Sequence, residues 1–203
     1  MKKTVIGLIL ILGLTAGGAN AQKVTGGLKA NANMSNFILS DINDLESKMK
    51  AGGSLGGFVT FDLGGKFALQ PELLLNMNSS EFKNAGVKGD FTYWGLEAPI
   101  YLLGKIDAGD DRVYLGVGPY IGLGLSAQNK VGGTKYNLYE KNEAGDMLMQ
   151  RFDFGFGAMA TYEFDFGMFI SGSYRIGVVN ALDSDSRGKM LPQTVSVGIG
   201  YKF

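Results

Sequence analysis

Val195-Ser196-Val197-Gly198-Ile199-Gly200-Tyr201-Lys202-Phe203 closes the chain. Every second residue back from the end, Phe203, Tyr201, Ile199, Val197 and Val195, is apolar or aromatic. The residues between, Lys202, Gly200, Gly198 and Ser196, are small or polar. A period of two is that of a β-strand, whose successive side chains point to opposite faces. A soluble β-protein can end this way, but the pattern also suits a strand with lipid on one face and a polar interior on the other. Phe203, Tyr201 and Ile199 then form a candidate carboxy-terminal signal for barrel assembly.

The other end supports the second reading. Met1-Lys2-Lys3 is a short positive start, Val5 to Leu14 is an apolar run, and Ala19-Asn20-Ala21 has the A-x-A form of a cleavage site. Residues 1–21 therefore read as a secretory signal peptide and residues 22–203 as the exported domain. The apolar run is shorter than the roughly 20 residues a spanning helix requires.

Charge and composition narrow the class. The chain holds 19 basic and 19 acidic residues; the leader removes two lysines and no acid, so the balance moves from 0 to −2. No basic excess points to nucleic acid. There is no cysteine, so an exported fold must rest on packing and hydrogen bonds. Apolar residues make up 45% of the chain, yet after residue 21 no run is long enough for a membrane helix. Glycine, at 32 residues, falls within the alternating segments as well as in turns. A narrow barrel interior explains that, because small residues leave room for bulky neighbours.

Eight alternating segments follow: 23–34, 54–63, 66–78, 91–103, 112–126, 151–164, 168–179 and 192–203. Short turns are expected at Gly64-Gly65, around Ala108-Gly109-Asp110-Asp111 and at Asp165-Phe166-Gly167. Long polar connections are expected at 36–53, 79–89, 128–150 and 180–191. In the first, Ser40 to Glu46 has the residues to cap and start a short helix, with Gly52 as a stop. Alternating short turns and long loops describe an up-and-down barrel with its turns in the periplasm and its loops outside. The expected fold is all-β: an eight-stranded antiparallel up-and-down transmembrane β-barrel in the outer membrane. A lipocalin-like soluble barrel would have its apolar face inside. Here one face of every segment is almost free of charge, while Lys29, Glu72, Glu97, Asp153, Glu163 and Arg175 share the other.

Gln70-Pro71-Glu72-Leu73-Leu74, Leu96-Glu97-Ala98-Pro99-Ile100, Gly116-Val117-Gly118-Pro119-Tyr120-Ile121-Gly122, Tyr174-Arg175-Ile176-Gly177-Val178-Val179-Asn180 and the terminal Gly200-Tyr201-Lys202-Phe203 resemble the porin-family, PorT-type outer-membrane β-barrels of Bacteroidota. The resemblance covers nearly all of the exported chain and implies a barrel rather than an activity. Members similar to this chain are mostly without assigned function, and one branch assists a gliding-associated secretion system.

An eight-stranded barrel is just wide enough inside for its own side chains. Charges there must pair or neutralise. The six luminal residues are therefore expected to form an ion-paired plug, with Arg175 bridging Glu72 or Glu97, since its forked guanidinium suits carboxylates. The chain has no histidine, which removes Ser–His nucleophilic catalysis. No Cys/His metal cluster exists, the strand glycines do not form a phosphate loop, and Asp110-Asp111 and Asp183-Ser184-Asp185 read as solvated turns. No enzymatic role, cofactor or metal is expected. The expected partners are outer-membrane lipid, the barrel-assembly machinery during insertion, and a protein or surface met by loops 36–53 and 128–150, with Tyr136, Leu138 and Tyr139 as contact anchors. A scaffolding or surface-contact role leads. A narrow channel for ions or small solutes and an accessory role in secretion are the alternatives, and a soluble periplasmic carrier is a weaker one.

Overall fold

A computed structural model describes residues 24–40, 45–84, 87–140, 148–182 and 188–203. The leader, Asp41 to Asp44 and Asp183-Ser184-Asp185 lie outside the described residues. Among the described residues nine strands occur, in chain order: β1 Val24–Ser40, β2 Leu45–Gly64, β3 Phe67–Asn84, β4 Val87–Ala108, β5 Asp111–Val131, β6 Thr134–Asn137, β7 Phe152–Glu163, β8 Met168–Gly177 and β9 Lys189–Lys202. Every pairing is antiparallel, and eight strands close a ring in which β1 pairs with both β2 and β9, and β4 pairs with β5. The ninth, β6, folds back on β5 alone. Closure leaves the ring without an edge, the condition for a sheet in lipid.

The three short turns stand where the sequence places them. Gly64 and Gly65 both have positive φ, 88° and 58°, as a two-residue hairpin twisted to match its strands requires.

The outward side chains form the lipid belt. On β5, Leu115, Val117, Ile121, Leu123 and Leu125 are all exposed. Ten residue steps from Leu115 to Leu125 cover about 33 Å along the strand, or about 25 Å along the axis at a tilt near 40°, the height of an outer-membrane apolar band. The 10 residues of β8 just span such a band. The 21 residues of β5 and 22 of β4 are about twice as long as the band requires.

That surplus length corrects the loop assignments. Much of 36–53 and nearly all of 79–89 is strand, and Leu45 to Gly52 is β2 rather than a helix, paired to β1 and β3. Half of the third expected loop is also ordered as the β5–β6 hairpin. The reason lies in the alternation, which inverts where the strands leave lipid. Below, Leu75, Trp94 and Leu96 point outward while Asn76, Asn78 and Glu97 point inward. Above, Lys48, Asp90 and Lys130 point outward, and Phe37, Phe91 and Ala127 are buried inside. The upper wall is a water-soluble β-structure continuous with a membrane one. Its core is an aromatic cluster in which Phe37 stacks on Phe82 at 5.5 Å and meets Phe91 edge-on at 5.2 Å.

Candidate functional site: the luminal ion pairs and the chamber above them

All six predicted charged residues face the interior, at different levels. Lys29 on β1 sends Nζ to both oxygens of Glu72 on β3, at 3.1 and 2.9 Å. Strand β2 lies between them, and its residue opposite Lys29 is Gly56, where an added Cβ would lie 2.8 Å from Leu74 Cδ2. Glu72 Oε1 also accepts a hydrogen bond from Gln70 Nε2 at 2.8 Å, and Gln70 Oε1 accepts one from Thr60 Oγ1 at 2.9 Å. The pair is sealed, with side-chain exposures of 4% and 0%.

Arg175 on β8 meets Glu97 on β4, with Nε 3.1 Å from Oε2. Neither atom achieves hydrogen-bond alignment, so the contact is Coulombic, and Ser173 and Ser196 lie 3.5 Å from the guanidinium nitrogens. Of the two partners expected for Arg175, it takes Glu97, because Lys29 occupies Glu72. Gly157, opposite Arg175 on β7, leaves the space: a Cβ there would lie 3.0 Å from Tyr101 Oη and 3.1 Å from Arg175 Cγ.

Glu163 sits at the short-turn mouth rather than in the plug. It accepts from Lys202 Nζ at 2.6 Å, with Arg112 3.9 Å away, and Lys202 also reaches Tyr114 Oη at 3.0 Å. At the same rim Lys105 holds Asp62 at 2.7 Å; that hydrogen bond, with one from the Gly64 amide, keeps the Asp62 carboxyl below its usual range. Lys202 lies on the inward face of the terminal nonapeptide, so parity alone could have nominated it.

Asp153 has a different environment. Its Oδ2 accepts from Tyr120 Oη at 2.8 Å, and no cation lies within ion-pair reach of it among the described residues. It borders a cavity of about 50 Å³ above the Arg175–Glu97 pair. A second cavity, of about 10 Å³, lies near Lys29 and Lys202. The wholly buried Leu74, Asn76, Tyr101 and Leu103 fill the interior.

The three expected loop anchors divide. Tyr136 is exposed on β6. Leu138 packs against the inner cluster and Tyr139 belongs to it, at 5% exposure, with the Arg151 guanidinium 4.4 Å over its ring. Phe203, Tyr201 and Ile199 are exposed at the short-turn end of the belt, and Phe203 and Gly26 exchange backbone hydrogen bonds at 2.9 and 3.3 Å that hold β9 to β1.

Residues 20–183 match the family described as the outer membrane protein beta-barrel domain. No curated protein matches the chain in sequence. Among solved structures, the outer membrane protein OprG from Pseudomonas aeruginosa superposes with a TM-score of 0.54 at 11% identity, over 90% of this chain and 97% of that one. Neisserial surface protein A gives 0.49 at 14% identity, over 90% and 100%. Ail, the attachment invasion locus protein of Yersinia pestis, gives 0.46 at 16%, over 89% and 99%.

Proposed function

The chain belongs to the outer membrane protein beta-barrel domain family, and from that premise we propose that it is a closed outer-membrane barrel that carries a rigid β-wall outside the cell for contact with a partner. The observation that carries this is the wall itself. Five neighbouring strands rise about twice as far as lipid demands, pack an aromatic core inside and show an outward face that includes Lys48, Lys50, Asp90 and Lys130. Such length has no use in spanning. Tyr136 and Lys135, both exposed on β6, are the contact residues of choice, since aromatic and cationic side chains make good anchors.

The lumen supports closure. Two neutral ion pairs and tightly packed aromatics lie between the upper and lower cavities. Planar-bilayer recording of the refolded protein is expected to be silent. A steady conductance would replace this reading with that of a narrow pore gated at Arg175 and Glu97. Contact is tested separately, by a photo-crosslinking residue placed at Tyr136 in intact cells. A discrete adduct that is lost when the probe is moved to the lipid-facing Ile121 supports the proposal, and equal adducts at both positions oppose it.

The terminal Phe203, Tyr201 and Ile199 are proposed as the segment read by the barrel-assembly machinery. An accessory role in secretion, which the PorT-type resemblance implies for one branch, is the alternative reading. No catalytic role is assigned.

A further inference from the structure

The upper cavity has a built lining in which one carboxylate lacks an ion-pair partner. Glu97, which Arg175 pairs with from outside the lining, borders it. Its wall contributes Asp153, whose Oδ1 has no hydrogen-bond partner in the protein. Ser80, 1% exposed, also lines the cavity, and its Oγ has no partner either. Arg151 also lines the cavity, but its guanidinium lies over Tyr139 and donates to the Gly124 carbonyl at 3.4 Å, and it forms no ion pair with Asp153. A carboxylate so placed in a low-dielectric interior must acquire a countercharge or lose its own.

The lining says which countercharge fits. Phe37, Phe91 and Tyr93 border the same space, and aromatic faces attract cations while accommodating methylene groups. A volume of about 50 Å³ takes three or four water-sized groups, at about 10–15 Å³ for each. Unpartnered acceptors, aromatic surface and this size describe an ammonium head on a very short chain. Among the described residues, strands β7 and β8 end at Phe152 and Gly177 while β1 to β5 continue upward, and Gln150, Val179 and Pro192 line the cavity on that lower side.

We propose that this chamber binds a small protonated primary amine, with Asp153 as the counter-ion, Ser80 as a hydrogen-bond acceptor and the Phe37–Phe91–Tyr93 surface against its carbon. The inference is independent of whether the barrel conducts.

The test is thermal unfolding of the refolded full barrel in uncharged detergent, titrated at constant ionic strength with methylammonium, potassium or tetramethylammonium chloride. Methylammonium is expected to raise the midpoint saturably, by about 5 °C or more at a hundredfold excess over Kd. Potassium lacks N–H donors, tetramethylammonium lacks them and is too large, and both are expected to leave the midpoint unmoved. Asp153→Asn is expected to abolish the response and Ser80→Ala to weaken the apparent affinity several-fold. Equal shifts with all three salts, no saturable shift, or an Asp153→Asn protein that responds like the wild type would each overturn the proposal. Should Asp153→Asn not refold, the Ser80→Ala titration decides, and an unchanged affinity there counts against the site.

Discussion

Lys29→Met is the sharpest test of the luminal plug. The substitution keeps the volume of the side chain and removes its charge. Glu72, with 0% side-chain exposure, then retains a single hydrogen bond, from Gln70. Orphaning one member of a buried pair costs about 3–5 kcal/mol, a factor of about 10²–10³ or more in the unfolding equilibrium. The chain's single tryptophan, Trp94, is exposed at the outer margin of the lipid belt, so its fluorescence reports departure from lipid in a urea titration of vesicle-refolded protein. With a slope of about 2–3 kcal/mol per molar urea, the midpoint is expected to fall by about 1–2 M. Glu72→Leu alone is expected to cost a similar amount, because it strands the ammonium. The double variant removes both charges and leaves only the Gln70 amide unpaired, at about 1–3 kcal/mol. It is expected to be more stable than either single variant, with a coupling of about 2 kcal/mol or more. Single losses below about 1 kcal/mol, or singles that simply add, would show that water reaches this level of the lumen and would refute the plug.

Arg175→Ala is expected to lower the midpoint by a similar margin, since it leaves Glu97 buried without its cation; unchanged unfolding would remove the second layer of the plug. Phe37→Ala deletes a ring held by Phe82 and Phe91, at about 3–5 kcal/mol, but in the outer wall. Tryptic cleavage at Lys48, Lys50 and Lys130 is therefore expected to accelerate while the heat-modifiable barrel band persists; loss of both together would show that wall and barrel form one cooperative unit. Asp62 gives a pH signature. Its carboxyl titrates lower in the fold than in the unfolded chain, so the stabilisation is present above about pH 4 and is lost as pH falls through the depressed folded value. The stability gap between wild type and Lys105→Met is thus expected to be wider at pH 7 than at pH 3, by a modest amount because Asp62 is 35% exposed; a gap independent of pH would deny the pair that role.

Parity made the membrane part legible and misjudged the rest. Outward Leu115, Val117, Ile121 and Leu123 declare a lipid face without any structure, and the same count sends Lys29, Glu72, Glu97, Asp153 and Arg175 inward. The criterion that found the strands also cut them short. A strand recognised by an apolar outer face ends, on that criterion, where lipid ends. Asn78-Ser79-Ser80-Glu81-Phe82 loses the face but keeps the ladder, because antiparallel pairing uses backbone groups that every residue carries. The sign of continuation was there in the inversion itself: apolar Phe37, Phe82 and Phe91 at the luminal parity together with charged Lys48, Asp90 and Lys130 at the outward one.

That Arg175 would meet Glu72 or Glu97 was legible; which of the two it takes, and that Lys29 holds the other, was not, because parity fixes a side and not a level. What sets the levels is the glycine pattern. Gly56 opposes Lys29 on the neighbouring strand, Gly157 opposes Arg175, and Gly122 opposes both Glu97 and Asp153. An added Cβ would lie 3.1 Å from Arg175 Cγ at Gly157 and 3.2 Å from Asp153 Cβ at Gly122, so these two glycines make room for the charged side chains beside them. Gly122 on β5 lies between Glu97 on β4 and Asp153 on β7; Arg175 pairs with Glu97, and Asp153 is left without an ion pair. A barrel built only to be full would have little reason to keep that imbalance next to an open cavity, whereas a barrel that holds a cation there would.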